Sequence, residues 1–301
     1  MTDNIRIGRY FILFLFLLFL AIPQNIHSDN TRAIQVVPDQ EKRSSIHTVD
    51  GYAYLSENMT LAQTRSAAFA NAKRQALEAA KTYIKSKTKV KDFQVEYDMI
   101  WSDAGGAVTV LEQKDHGVEG NNRYHVWIKA EVLYDLKPKK HEAYQGVIMG
   151  SNAPLTVKVW TDKKHYRTGA NIRIFVQGNR DFHARIVDIT SGGQIIQLLP
   201  NDFRRINFFK GGKVYTIPDK GDHFDLKVAP PYGEDRIVVY ASEVPLGEVA
   251  TDSVGQGLRQ YRGLQKNLAA ETRGIKVIGG GVDPDSGAEF YETTWTLTTK
   301  K

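Results

Sequence analysis

The chain has no cysteine among its 301 residues. That excludes disulfides, thiol nucleophiles, thiol redox chemistry and cysteine-based zinc sites. It also closes the lipoprotein route to a membrane, in which a cysteine just after an export signal is acylated. Catalytic motifs are missing too. The eight histidines are scattered, and there is no H-E-x-x-H, no G-x-S-x-G and no P-loop. Neither an enzyme nor a cofactor is expected on these grounds. No apolar run reaches the roughly 20 residues that a membrane-spanning helix needs.

The longest such run, Tyr10 to Ile22, follows Arg6 and Arg9 and stops at Pro23. At about 13 residues it matches the core of a secretory signal, and Ile26 with Ser28 offers an aliphatic-x-small cleavage pattern. The expectation is export to the periplasm or the exterior with a cut after Ser28. A retained anchor and a buried core helix are the alternatives. Removing residues 1–28 lowers the formal charge from +6 to about +5. A chain of about 273 residues with 42% hydrophobic and 25% charged residues suits two globular domains. The mild basic excess fits contact with anionic lipid or glycan, while export argues against nucleic acid.

Residues 29–45 are polar and read as a flexible leader. Ile46 to Leu55 is rich in β-formers. Thr60-Leu61-Ala62-Gln63 forms a capping box, opening a helix to about Ser86. Phe69, Ala72, Ala76, Ala79, Ala80 and Tyr83 give it an apolar stripe of small residues, so its axis can lie close to what it covers. Strands follow at Phe93–Trp101, Ala107–Gln113 and Tyr124–Tyr134, with Lys114–Asn122 as a loop. Residues 46–138 thus read as a small α+β domain, a helix on an antiparallel sheet, and residues 139–153 as a linker. Residues 154–301 carry short strands spaced by turns, which predicts an all-β immunoglobulin-like sandwich. One added helix is expected there. It is opened by Ser253 and Gln256 and carries a stripe at Leu258, Tyr261, Leu264 and Leu268, against which Gly255, Gly257 and Gly263 count. Glu289–Thr298 is the closing strand.

Two stretches carry resemblances. A glycine-bearing strand followed by a helix with an A-K-R-Q-A-L-E-A core (Ala72 to Ala79) resembles the N-terminal domain of the flagellar assembly protein T family and related small outer-membrane lipoproteins. That likeness covers residues 46–136. Residues 155–246 resemble the family known as domain of unknown function 4384. The matching residues are Tyr166-Arg167-Thr168-Gly169, Gly193 with Leu198-Leu199-Pro200-Asn201, Gly211-Gly212 with Tyr215-Thr216-Ile217-Pro218, Pro230 to Glu234, Ala241-Ser242 and Pro245-Leu246. The resemblance implies a sandwich-like accessory domain of exported bacterial proteins, and brings no activity or site residues with it.

Four stretches are candidates for chemistry or contact, each weighed against a structural role. Asp222-His223-Phe224-Asp225 holds metal-ligand types, but neighbouring side chains on a strand diverge. Asp283 and Asp285 with Glu289 echo the oxygen spacing of a calcium loop, interrupted by Pro284. Phe203, Arg204, Arg205, Phe208, Phe209 and Lys210 interleave cations with aromatics, a pattern for a protein, glycan or envelope surface. The rival arrangement there buries the phenylalanines and exposes the arginines. Lys85, Lys87, Lys89 and Lys91 alternate, giving a patch for anionic headgroups if extended or a complement to the dipole if helical. The function expected is non-catalytic contact with an envelope protein, in support of a surface or secretion machine. A glycan- or cell-wall-binding module is the alternative, and a hydrolase with spatially assembled residues the third.

Overall fold

Helix α1, Leu61–Lys87, begins where the capping box places it. The Thr60 N–H donates to Gln63 Oε1 (2.8 Å), and the Gln63 N–H donates to Thr60 Oγ1 (3.2 Å). Its buried stripe is Thr64, Ala68, Ala72, Ala76, Ala80 and Ile84. The predicted Phe69, Ala79 and Tyr83 flank this line, half-buried. A computed structural model of the chain describes residues 40–87, 97–101, 108–138, 150–151, 153–274 and 287–301. The apolar leader, its cleavage point, most of the predicted linker and the calcium-like residues Asp283 and Asp285 lie outside the described residues.

Four strands accompany α1: β1 (Gln40–Tyr54), β2 (Tyr97–Trp101), β3 (Val108–Glu119) and β4 (Arg123–Pro138). The alanine stripe packs on Val126, Ile128, Ala130 and Val132 of β4 and on Ala53. Close approach needs Gly51, where an added Cβ would sit 2.3 Å from the Ala68 carbonyl oxygen and 2.5 Å from Ala72 Cβ. Fully burying Ile84 contributes roughly 1.5–3 kcal/mol, more than any alanine in the stripe. Two sequence readings need correction here. Residues 40–45, read as leader, form the first part of β1, with Arg43, Ser44 and Ser45 buried. Lys114–Glu119, read as loop, continues β3. Only Gly120, Asn121 and Asn122 turn the chain, the two asparagines in the left-handed region at φ 65° and 55°.

The remaining strands are β5 (Val157–Thr161), β6 (His165–Arg167), β7 (Ile174–Gly178), β8 (Phe182–Ile189), β9 (Ile195–Leu199), β10 (Phe208–Phe209) and β11 (Val214–Ile217). They continue with β12 (Glu234–Ser242), β13 (Asp252–Gly255), β14 (Leu258–Tyr261) and β15 (Ala288–Lys300). Among the described residues one sheet runs β13-β14-β9-β8-β12-β15-β1-β4-β2, with β3, β6 and β10 attached to its members. A second runs β11-β7-β5. Pairing is antiparallel except between β6 and β15. Residues Gln40–Ile46 of β1 pair with Ala288–Thr294 of β15, so strands from both predicted domains share the larger sheet.

The smaller sheet packs on the larger through Val157, Val159, Ile174, Val176 and Ile217 against Phe182, Ile186, Val239 and Trp295. This is a sandwich-like, β-rich arrangement. Strands β8 and β12 are buried on both faces, which is why FHARIVDI and DRIVVYAS read as near-continuous apolar runs. Their second face, Val187, Ile189, Val238 and Tyr240, is covered by Tyr261, Leu268 and Ala269. The predicted helix opening at Ser253 is instead the β13–β14 hairpin. Gly255, Gln256 and Gly257 take φ of 88°, 52° and 75°, three successive left-handed residues that no right-handed helix tolerates. Only α2, Gln265–Thr272, is helical there. Phe224–Val228, which alternates like a strand in the sequence, makes only a single backbone bridge, Lys227 with Asn171, while Leu226 and Val228 are buried.

Candidate interaction surface

Residues 200–207 connect β9 to β10, so the interleaved stretch at 203–210 takes in most of that connection and β10 itself. Asn201, buried behind Pro200, builds its turn: its Nδ2 donates to the Leu198 carbonyl (2.8 Å), and its Oδ1 accepts from the Phe203 and Arg204 N–H groups (2.9 and 2.7 Å). The Arg204 guanidinium donates to Asp222 Oδ2 (3.1 Å) and lies 5.6 Å over the Phe209 ring. Phe203 stacks on Phe224 at 6.0 Å and fills the space beside Gly257, where an added Cβ would meet its ring at 2.1 Å. The Asp202 N–H donates to the Gly257 carbonyl (3.1 Å), so the loop and the hairpin tip brace each other. Arg259 completes the brace, donating to Thr251 Oγ1 (2.7 Å) and Asp202 Oδ1 (3.4 Å).

What this frame holds outward is apolar. Phe203 is 51% exposed, Ile206 73% and Phe208 41%, and Val254 of the hairpin is 43% exposed. Isolated exposed apolar residues are ordinary; three within six positions on a braced loop are not. Arg205 and Lys210 are exposed beside them. Phe209 is fully buried in the sandwich core and Arg204 is engaged by Asp222, so these two act as supports. An open groove of about 400 Å³ adjoins the Phe203–Phe224 stack, lined by Asn171, Arg173, Thr216, Asp219, Lys220 and Asp225 among others. His223 is exposed, while Asp222 is occupied by Arg204 and the Asp219 N–H.

The other candidates are placed differently. Glu289 is fully buried and accepts from the Tyr134 hydroxyl (3.1 Å), the Leu155 N–H (3.2 Å) and Arg180 (3.0 Å). Burial lifts its carboxyl above the usual range although Arg180 pulls the other way. Arg180 also binds Glu243, which accepts from the Tyr83 hydroxyl of α1 (3.2 Å). This is a structural junction, and no sequence signal joins residues so far apart. Among the described residues no group of three or more His, Asp or Glu is arranged to hold a metal. Lys85 and Lys87 lie on the last turn of α1, where Lys87 pairs with Glu243 at 3.5 Å. Lys89 and Lys91 lie outside the described residues. None of the helices among the described residues is long and apolar enough to cross a membrane.

Fold and surface together define a largely antiparallel, sandwich-like β-rich protein that presents a braced loop with exposed apolar side chains. A family model described as domain of unknown function (DUF4384) matches residues 165–245, which include that loop and most of the smaller sheet. The resemblance of residues 46–136 to flagellar assembly protein T is not among these matches. No curated protein matches the chain.

Proposed function

We propose that the chain is a non-catalytic, exported cell-envelope protein, periplasmic or secreted, that acts by protein–protein contact through the 203–208 loop. One observation carries this reading: Phe203, Ile206 and Phe208 are held out to solvent by a loop whose buried members leave it little freedom. Preorganised apolar anchors suit a protein partner, because binding then costs little ordering entropy. The flagellar-assembly likeness of residues 46–136, and an immunoglobulin-like reading of the sandwich, support an accessory role in assembling a surface or secretion machine. A photo-crosslinking residue in place of Ile206, in cells, is expected to capture an envelope protein. Phe208→Asp in the same chain should abolish the adduct. Labelling no stronger than from a probe at exposed Glu57 would refute the assignment.

The groove beside Phe224 favours a second reading, a glycan- or cell-wall-binding module. Its amide, carboxylate and cationic groups surround an aromatic ring, as sugar recognition uses them. Retention on purified peptidoglycan, lost with Phe224→Ala, is what that reading requires and the first does not.

A further inference from the structure

The tip of the helix-bearing sheet contains a histidine whose geometry defines its charge. His125 of β4 places Nδ1 2.5 Å from Glu119 Oε1 of β3 and Nε2 2.6 Å from Asp50 Oδ1 of β1. A neutral imidazole has one N–H and can donate to only one of these carboxylates; the imidazolium donates to both. Strands β1 and β3 each pair with β4, on opposite sides, and not with each other. The cation therefore bridges the two outer strands across the middle one. Its ring lies between two parallel neighbours, Tyr52 at 4.6 Å and His116 at 4.4 Å.

We propose that His125 is a proton-operated clasp: as the imidazolium it ties the β3–β4 hairpin tip to β1, and on losing its proton it releases that tip. The charged groups around it are Asp50 from β1, Glu119 with the stacked His116 from β3, and Arg123 from β4. Arg123 donates to Glu119 Oε2 (3.1 Å) and covers Tyr52 at 4.0 Å. From α1, Arg65 reaches the same hairpin at Asp115 (2.6 Å). The arm that opens is β3. Near the clasp β3 breaks register between Asp115 and Gly117, and again between Val110 and Glu112. β1 instead runs in unbroken register with β4 from Arg43 to Tyr54, and the Tyr52 carbonyl is bonded by Asn71 of α1 (2.7 Å). Deprotonation leaves a ring nitrogen lone pair facing a carboxylate oxygen at hydrogen-bond distance, and the bulged strand yields first. Burial depresses the imidazolium, but the two carboxylate hydrogen bonds outweigh it and hold the group above the ordinary histidine value. A raised value means the clasp is complete below about pH 6.5 and is lost as pH rises through the clasp's own midpoint.

Nitrogen-detected NMR of the intact chain gives the state of the ring, and hydrogen exchange of residues 113–123 gives that of the hairpin. The expected result is two protonated ring nitrogens at pH 6, a midpoint above that of an ordinary histidine, and faster hairpin opening at higher pH. Opening should rise by up to about tenfold per pH unit between the two midpoints. His125→Gln should abolish this pH dependence. Asp50→Asn, which keeps the imidazole, should bring its midpoint down toward the ordinary value. A midpoint at or below the ordinary value, or hairpin exchange that ignores the titration, would overturn the proposal.

Discussion

Asp188 offers the sharpest test of the sandwich core. It sits on β8, facing the smaller sheet as Ala184 and Ile186 do, opposite Ile237 of β12. Its Oδ1 is inaccessible and has no hydrogen-bond partner. Asp235, close by, has both oxygens engaged, by the Ser191 N–H (2.7 Å) and the Thr299 hydroxyl (3.3 Å). Burial, and secondarily the Asp235 charge, push the Asp188 carboxyl from 3.8 up to about 7. The folded protein thus holds a proton that the unfolded chain gives up, so this group's penalty grows with pH until Asp188 ionises in both states. At about 1.36 kcal/mol per pH unit the penalty is about 2 kcal/mol at pH 5 and roughly 4 kcal/mol at pH 8. Asp188→Asn keeps the shape and removes the ionisation. An unmet polar atom remains at a cost of about 1–3 kcal/mol, the same at both pH values. Urea unfolding followed by tryptophan fluorescence should therefore show the substitution more favourable at pH 8 than at pH 5 by roughly 2–3 kcal/mol. An equal effect at the two pH values would refute the buried-carboxylate argument whatever the absolute stabilities.

Three further substitutions probe the packing and a buried charge. Gly51→Ala forces α1 away from β1 and should cost about 1–3 kcal/mol in thermal or urea melts. Gly120→Ala, with nothing within 4 Å of its added Cβ, should stay within about 0.5 kcal/mol of the parent. Arg180→Leu strands the Glu289 charge and should cost about 3–5 kcal/mol, with Glu289→Gln in the same chain recovering part of the loss.

What could be read in advance was local. The α1 capping box is four adjacent residues, and its alanine repeat follows from helical spacing, so start, length and close packing were all legible. The β13–β14 hairpin reads as a helix in sequence because Leu258, Tyr261, Leu264 and Leu268 happen to fall at helical steps. The glycines flanking Gln256 carried the deciding signal, since a left-handed turn outweighs a four-residue coincidence. At 208–209 two adjacent phenylalanines share a composition and take opposite fates. Strand alternation buries Phe209 and exposes Phe208, but which is which depends on pairing with β8, a tertiary fact. The clasp was hidden for the same reason. Asp50 and His125 are 75 positions apart in the chain and meet only through the register of β1 on β4.

That register dependence raises a physical question: what holds peripheral segments in one arrangement when no disulfide is available? Buried arginines supply much of the answer. Arg43 donates to the Leu155 carbonyl (2.8 Å) and Thr156 Oγ1 (3.2 Å), fastening the chain entering the sandwich to β1. Arg185 donates to Gln197 (3.0 Å), Thr272 Oγ1 (2.6 Å) and the Gly247 carbonyl (3.0 Å), fastening α2 and the preceding loop to β8. Burial draws its guanidinium down to about 10, still charged at any physiological pH. Arg273 donates to Glu292 (2.8 Å) and lies 2.7 Å from Glu131, a charge contact without hydrogen-bond alignment. It thereby ties the end of α2 to β15 and β4. A guanidinium suits this work because it offers five donors in a fixed fork. Each bond adds only about 1 kcal/mol net, whereas a buried donor left unmet costs more. Such groups therefore contribute less to how stable the fold is than to which arrangement it adopts, because a shifted segment would strand every donor at once.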